Sequence, residues 1–325
     1  MARRRSGQVG ALAIVMVGVV LGGTAQLSLA RMTSSATVGS NTFTTAAHFD
    51  TTPPTVASSV ISKTVQYLSG YIRQAGAYYV YANITDAGSG VASATANVAN
   101  ITTGSTAVAL VAGSYSVGGV SYNYRSASLT AKNPLAAGSV TYSITAVDGS
   151  GNSGTTSGLT VVVDNTVPAG SNILLSDGGG TAGTIQLGDT ITYTFNDVID
   201  PQSVLAGWTG ASTNVVVRFT DSGANDTFAV WNSTNTTQLA LGTVNTKGDY
   251  VMPGGATAGA SGTPSTMVLN TSSDTITITL GTVAGTIKND NANHKPAWTP
   301  SASATDRAGN AMSTTVVNGA NVVGF

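Results

Sequence analysis

Along much of the chain apolar residues recur at every second position, with threonine, serine or asparagine between them. Tyr78, Val80, Ala82 and Ile84 form one such row. Val140, Tyr142, Ile144 and Ala146 form another, interleaved with Thr141, Ser143 and Thr145, and Leu159, Val161 and Val163 form a third. Further on, Ile191, Tyr193 and Phe195 alternate with Thr192 and Thr194, and Ile276, Ile278 and Leu280 alternate with Thr275, Thr277 and Thr279. A period of two puts successive side chains on opposite faces of a strand, one buried and one wet. Several such runs separated by Gly, Ser and Asn turns predict an all-β sandwich architecture.

The pattern is organised by a repeated frame. Asp50-Thr51-Thr52-Pro53-Pro54 is echoed by Asp164-Asn165-Thr166-Val167-Pro168, and Asp148-Gly149-Ser150-Gly151-Asn152 by Asp306-Arg307-Ala308-Gly309-Asn310. Each unit opens after a stiff proline linker and nears its end at an Asp-x-x-Gly-Asn step suited to a hairpin. The boundaries expected are 1–30 for a signal peptide, 31–52 for an N-terminal strand and linker, 53–166 for a first sandwich and 167–325 for a second, larger one. The Gly-rich stretch Pro253–Pro264 is expected to be an extended loop.

The N-terminus departs from this pattern. Arg3–Arg5 precede an apolar run from Gly10 to Leu21, and small residues at Ala25 and Ala30 follow as cleavage points. This is the anatomy of a secretory signal peptide. An uncleaved anchor is the alternative, reached only by extending the run through Gly22–Ala30, since a span needs about 20 apolar residues. Gly22-Gly23-Thr24-Ala25-Gln26, Thr33–Thr37 and Ser40-Asn41-Thr42-Phe43-Thr44 together resemble the leader region of SipW-type signal-peptide proteins, a group that includes TasA-like biofilm fibre subunits. The usual aromatic pair after the cleavage site is replaced by Gln26-Leu27. The resemblance implies export and cleavage near Ala25.

Two further resemblances bear on fold. Leu135-Ala136-Ala137-Gly138 leading into Tyr142 resembles the corner before a late strand of fibronectin-type and bacterial immunoglobulin-like domains. Gly188-Asp189-Thr190 through Phe195–Pro201, with Gly309-Asn310 near the end, resembles an SbsA-type immunoglobulin-like domain of S-layer and other surface proteins. Together they imply tandem immunoglobulin-like β-sandwiches after an N-terminal signal peptide, and they carry no catalytic residues.

Composition narrows the chemistry. Only 8% of residues are charged, all fourteen acids are aspartate, and there is no cysteine. That excludes a disulfide scaffold and thiolate metal sites. Removing residues 1–30 leaves ten cations against fourteen acids, a net charge of −4, so no basic patch for nucleic acid is expected. The two histidines, His48 and His294, lie in different segments, and no nucleophile motif is present, so the chain is expected not to be an enzyme.

Three binding chemistries remain. Calcium takes oxygens from Asp, Asn and carbonyls; Asp50, Asp148, Asn152, Asp164 and Asn165 are the candidate ligands, expected together at the inter-domain end of the first unit, although turn-forming Asp and Asn account for them without metal. No other cofactor is expected. Glycans would use exposed aromatics, and Trp208, Trp231 and Trp298 all lie in the second unit, where core packing is the competing reading. The third is assembly. Asn41–Asp50 alternates Phe43, Thr45, Ala47 and Phe49 against polar or small residues, a strand with no obvious hairpin partner. It either joins its own sandwich or completes the sheet of another copy.

The function expected from these features is an exported, non-catalytic structural or adhesive cell-surface protein, including a filament or envelope-layer component. The alternatives are a carbohydrate- or surface-binding adhesin and a non-catalytic accessory module of an exported hydrolase system. The expected partners are other surface proteins, copies of itself and glycans, with membrane contact only through an uncleaved leader. The C-terminal Asn321–Phe325 shows no sorting tail, so retention is expected from the leader or from partners.

Overall fold

The computed structural model describes residues 36–38, 41–43, 50–63 and 68–325. Residues 1–49 and 50–325 are separate compact units. In the first, β1 (Ala36–Val38) and β2 (Asn41–Phe43) form a small antiparallel hairpin with Thr37 opposite Thr42. The segment expected to lack a hairpin partner therefore has one at its start. Phe49 and the rest of 44–49 lie outside the described residues, as do His48 and the expected leader.

The second unit is almost entirely β, and it holds two large hydrophobic cores and a small third cluster of Tyr81, Val117 and Tyr122. The first core is enclosed by β3 (Thr55–Ser62), β4 (Tyr71–Ile72), β5 (Ala77–Thr85), β6 (Val91–Asn97), β7 (Val108–Val117), β8 (Val120–Ser126), β9 (Leu129–Thr130), β10 (Gly138–Asp148) and β11 (Ser153–Val163). Their hydrogen-bonded order is β3-β5-β8-β7-β6-β10-β11-β4, with β9 beside β5. Strand β7 pairs with β6 at its start and with β8 over the rest, and so carries the chain between the two layers. The alternating rows read from the sequence meet between those layers. Tyr78, Val80, Ala82 and Ile84 face Tyr142, Ile144, Ala146, Val161 and Val163, all buried. The Tyr142 hydroxyl hydrogen-bonds Ser59 Oγ across the sandwich at 2.9 Å, and burial pushes its pKa up to about 12.

The second core begins after the Asp164–Pro168 linker. Its strands are β12 (Gly170–Ser176), β13 (Thr190–Phe195), β14 (Thr213–Thr220), β15 (Thr227–Asn232), β16 (Gln238–Asn245), β17 (Val251–Ala258), β18 (Ser265–Asn270), β19 (Thr275–Thr279), β20 (Val283–Ile287), β21 (Asn293–His294), β22 (Ala297–Thr299), β23 (Val317–Asn318) and β24 (Val322–Val323). The main path runs β12-β13-β19-β18-β14-β15-β16-β22-β23, and β17 joins β14 to β20. A single helical turn, α1 (Pro201–Val204), is capped by Asp200, whose side chain accepts from the Gln202 amide at 3.1 Å. The expected loop at Pro253–Pro264 is half strand. Residues through Ala258 belong to β17, and the irregularity that Pro253 imposes appears as a register shift between Val251 and Ala256. Phe325 packs into this core against Tyr250, Phe219 and Phe228, with ring centroids 5.4, 5.7 and 6.4 Å away.

Candidate functional site: the carboxylate heads of the two sandwiches

Each Asp-x-x-Gly-Asn step is a tight turn closing on the start of its own sandwich. At the first head, β10 ends in Asp148, which is 2% exposed. Its Oδ1 accepts from the amides of Ser150 at 2.9 Å and Asn152 at 2.8 Å, and its Oδ2 accepts from Asn152 Nδ2 at 2.7 Å. The same Asn152 amide group donates to the main-chain carbonyl of Asp50 at 2.9 Å. The hairpin thus grips the linker that enters the sandwich. The Asp50 carboxylate accepts from Ser89 N at 2.6 Å, Ser89 Oγ at 2.7 Å and Thr52 N at 3.0 Å. These bonds, led by the Ser89 amide, hold its pKa down at about 2. Asp86, just past β5, accepts from Gly88 N and Gly90 N through Oδ2, while its Oδ1 is buried without a partner. One oxygen from each of Asp50, Asp86 and Asp148 lies within 4.8 Å of the others.

The second head repeats the arrangement. Asp306 Oδ1 accepts from the amides of Ala308, Gly309 and Asn310 at 2.8, 2.7 and 2.8 Å, and Oδ2 accepts from Asn310 Nδ2 at 2.8 Å. Asn310 Nδ2 also donates to the Asp164 carbonyl at 2.9 Å. Asp164, Asp197 and Asp306 form the matching triad. Burial raises the pKa of both Asp197 and Asp306.

The heads differ in their cations. Arg307 Nη2 is 3.6 Å from Asp197 Oδ1, and its guanidinium stacks on the Tyr71 ring of the first sandwich at 4.0 Å. Gly149 stands at the corresponding place in the first head. Lys63, also from the first sandwich, donates to the Asp306 carbonyl at 2.8 Å and to Thr305 Oγ1 at 3.2 Å. It pairs with Asp200 Oδ2 at 2.9 Å, and that Asp200 is 1% exposed. The first head suits a hard cation, with three carboxylates converging and one oxygen unpartnered; calcium takes about six to eight such ligands. The second head already carries the protein's own positive charge, and its donors fit a metal less well.

The expected calcium ligands are therefore divided. Asp50, Asp148 and Asn152 sit at the first head. Asp164 sits at the far end of the β10–β11 hairpin, which at eleven residues spans roughly 35 Å. Proximity in sequence to a linker does not give proximity to one end of a sandwich, because each strand carries the chain to the opposite end. Asn165 is occupied elsewhere: its Oδ1 accepts from Gln74 N at 2.9 Å and its Nδ2 donates to Leu135 O at 2.8 Å. Asp86, Asp197 and Asp306 complete the triads and were not among the expected ligands. A signal is present, since Ile84-Thr85-Asp86 and Phe195-Asn196-Asp197 each place an aspartate just after an early strand of its unit, β5 and β13 respectively.

Of the three tryptophans, Trp298 is fully buried against Tyr193 and Phe195, and Trp208 is 4% exposed. Their indole N–H groups donate to Leu241 O and Ala211 O, each at 2.6 Å. Both are core residues, which leaves Trp231 as the partly exposed one. His294 pairs with Asp290 at 2.9 Å. Among the described residues no helix is long and apolar enough to cross a membrane.

No family model and no curated protein matches the chain. Solved structures similar to it include the C-terminal domain of the Streptococcus pyogenes antigen I/II-family protein AspA, at 14% identity and a TM-score of 0.20, covering 82% of this chain and 98% of that one. The C-terminal domain of the Streptococcus agalactiae AgI/II polypeptide BspA is 15% identical with a TM-score of 0.19, covering 75% of this chain and 94% of that one.

Proposed function

We propose that this chain is an exported, non-catalytic structural and adhesive component of the cell surface, and that the head of its first sandwich binds calcium. The observation that carries the reading is the repeated head. In both sandwiches an Asp-x-x-Gly-Asn hairpin seizes the carbonyl of the linker aspartate through the asparagine amide. That device fixes the entry of a sandwich relative to its last hairpin, which serves extension and load rather than turnover. The junction between the sandwiches adds Lys63 and Arg307 to the same device. Calcium at the first head would neutralise the converging carboxylates of Asp50, Asp86 and Asp148, as Arg307 does for Asp197 at the second head. Filament growth through residues 41–50 of a second copy is the form of assembly this reading favours.

The test is electron microscopy of residues 31–325 with and without millimolar calcium, combined with antibody labelling of intact cells. Filaments that vanish on deleting residues 31–50 support assembly, and discrete two-lobed particles in both conditions remove it. Labelling only after cell lysis removes the surface reading altogether.

A further inference from the structure

Arg218 lies on the outer side of the second sandwich. Its neighbours in β14, Val217 and Phe219, are buried, so the strand period turns Arg218 outward. Its guanidinium carbon stands 3.6 Å over the Trp231 ring. Nε donates to Asn235 Oδ1 at 2.6 Å, and Nη2 donates to the Asn235 carbonyl. Asn235 is itself pinned in the β15–β16 turn, in the left-handed region at φ 58°, with its amide bonded to Asn232 O at 2.8 Å. The arginine is thus oriented before any ligand arrives. All these contacts are neutral, and among the described residues no carboxylate pairs with it.

Beside it runs an open groove of about 480 Å³ whose lining includes Thr220, Thr257, Gly254, Gly255 and Gly285. The floor is bare backbone because packing demands it. A Cβ on Gly255 would meet the Phe219 carbonyl oxygen at 2.3 Å, and one on Gly285 would meet the Gly255 oxygen at 2.5 Å. The hydroxyls of Thr220 and Thr257 make no hydrogen bond among the described residues.

We propose that this groove binds a carboxylate-bearing glycan, an inference that rests on the cell-surface reading above. A planar, pre-oriented guanidinium matches a carboxylate in a bidentate pair. Free threonine hydroxyls suit sugar hydroxyls, and a flat glycine floor accepts a sugar ring but offers no pocket for the side chains of a peptide.

The experiment is calorimetric titration of residues 31–325 with tetragalacturonate, with its fully methyl-esterified form as the uncharged twin, and with sialyllactose. At least one acidic probe is expected to bind about 10-fold or more tighter than the neutral ester. Arg218→Gln should erase that preference, and Arg218→Lys, which keeps the charge but loses the fork, should weaken it several-fold. Thr257→Glu keeps the test decisive if Arg218 variants misfold. Residue 257 is the cross-strand partner of Arg218, so a carboxylate there should occupy the arginine and abolish binding without lowering the melting temperature. Equal binding of acid and ester, no binding of either acidic probe, or binding indifferent to Thr257→Glu overturns the proposal. If the groove is silent while intact cells still label, only the glycan site is lost; if the protein labels only inside cells, the surface reading is lost with it.

Discussion

The two heads are built on one hydrogen-bond plan and differ in the charges beside it. Each has a buried aspartate wrapped by its own turn, an asparagine amide bridging that aspartate to the linker carbonyl, and a third carboxylate from the end of an early strand. At the second head the preceding sandwich supplies Lys63, and the turn itself supplies Arg307. At the first head Gly149 takes the arginine's place, and the triad carries an oxygen with no partner. The lesson is that a repeated turn motif secures geometry, while the neighbour at each end decides electrostatics.

The largest effect should come from the feature the heads share. Asp306→Ala removes an acceptor of four bonds that is fully buried and should destabilise the second sandwich by about 3 kcal/mol or more. Urea unfolding followed by tryptophan fluorescence reads this sandwich alone, because all three tryptophans lie in it. Asp148→Ala should cost the first sandwich a comparable amount, read from tyrosine signals. A cost below about 1 kcal/mol at either head would break the equivalence.

Next is the feature they do not share. Lys63→Met leaves Asp200 buried and uncompensated and should lower the stability of the second sandwich by about 3 kcal/mol. Asp200→Asn in the same chain should restore part of the loss, and the first sandwich should barely respond. Calcium should act in the opposite place, stabilising the first sandwich by about 2.7 kcal/mol at a hundred times its dissociation constant. Asp86→Asn should abolish that gain and Asp197→Asn should not. Arg307→Ala, which removes a partly exposed stack on Tyr71, should cost only about 0.5–1 kcal/mol.

Acidification should separate the heads by sign rather than size. Asp50 is held near pKa 2, so its contribution is present above the ordinary value of 3.8 and is lost as pH falls towards 2. Burial raises Asp306, so the folded state takes up its proton before the unfolded chain does. Its unfavourable contribution at neutral pH is relieved as pH falls towards 3.8. Stability–pH curves of Asp50→Asn and Asp306→Asn should diverge from the parent in opposite directions, and parallel curves would refute the assignment.

Much of this was legible in the residues. The rows Tyr78–Ile84, Val140–Ala146, Ile191–Phe195 and Ile276–Leu280 are buried faces, as alternation with threonine requires. The Asp-x-x-Gly-Asn echo marked both head hairpins. The grouping of their ligands is less legible: the linker frame groups Asp50 with Asp164 and Asn165, whereas strand order brings Asp86 to the first head and Asp197 and Asp306 to the second. The partner of β2 and the strand half of Pro253–Pro264 are not legible either, since short pairings and bulged edges leave little trace in a two-residue period.

By itself, then, the sequence determined that this chain is β-structured, that its turns recur in the same chemistry, and that few charges are available to any site. Those are local properties, written in side-chain period, turn residues and composition. Which carboxylates converge, which tryptophan reaches the surface and where Lys63 lands were decided only by tertiary structure. Each depends on strand register and on contacts up to 243 residues apart, and no local pattern encodes which strand lies beside which.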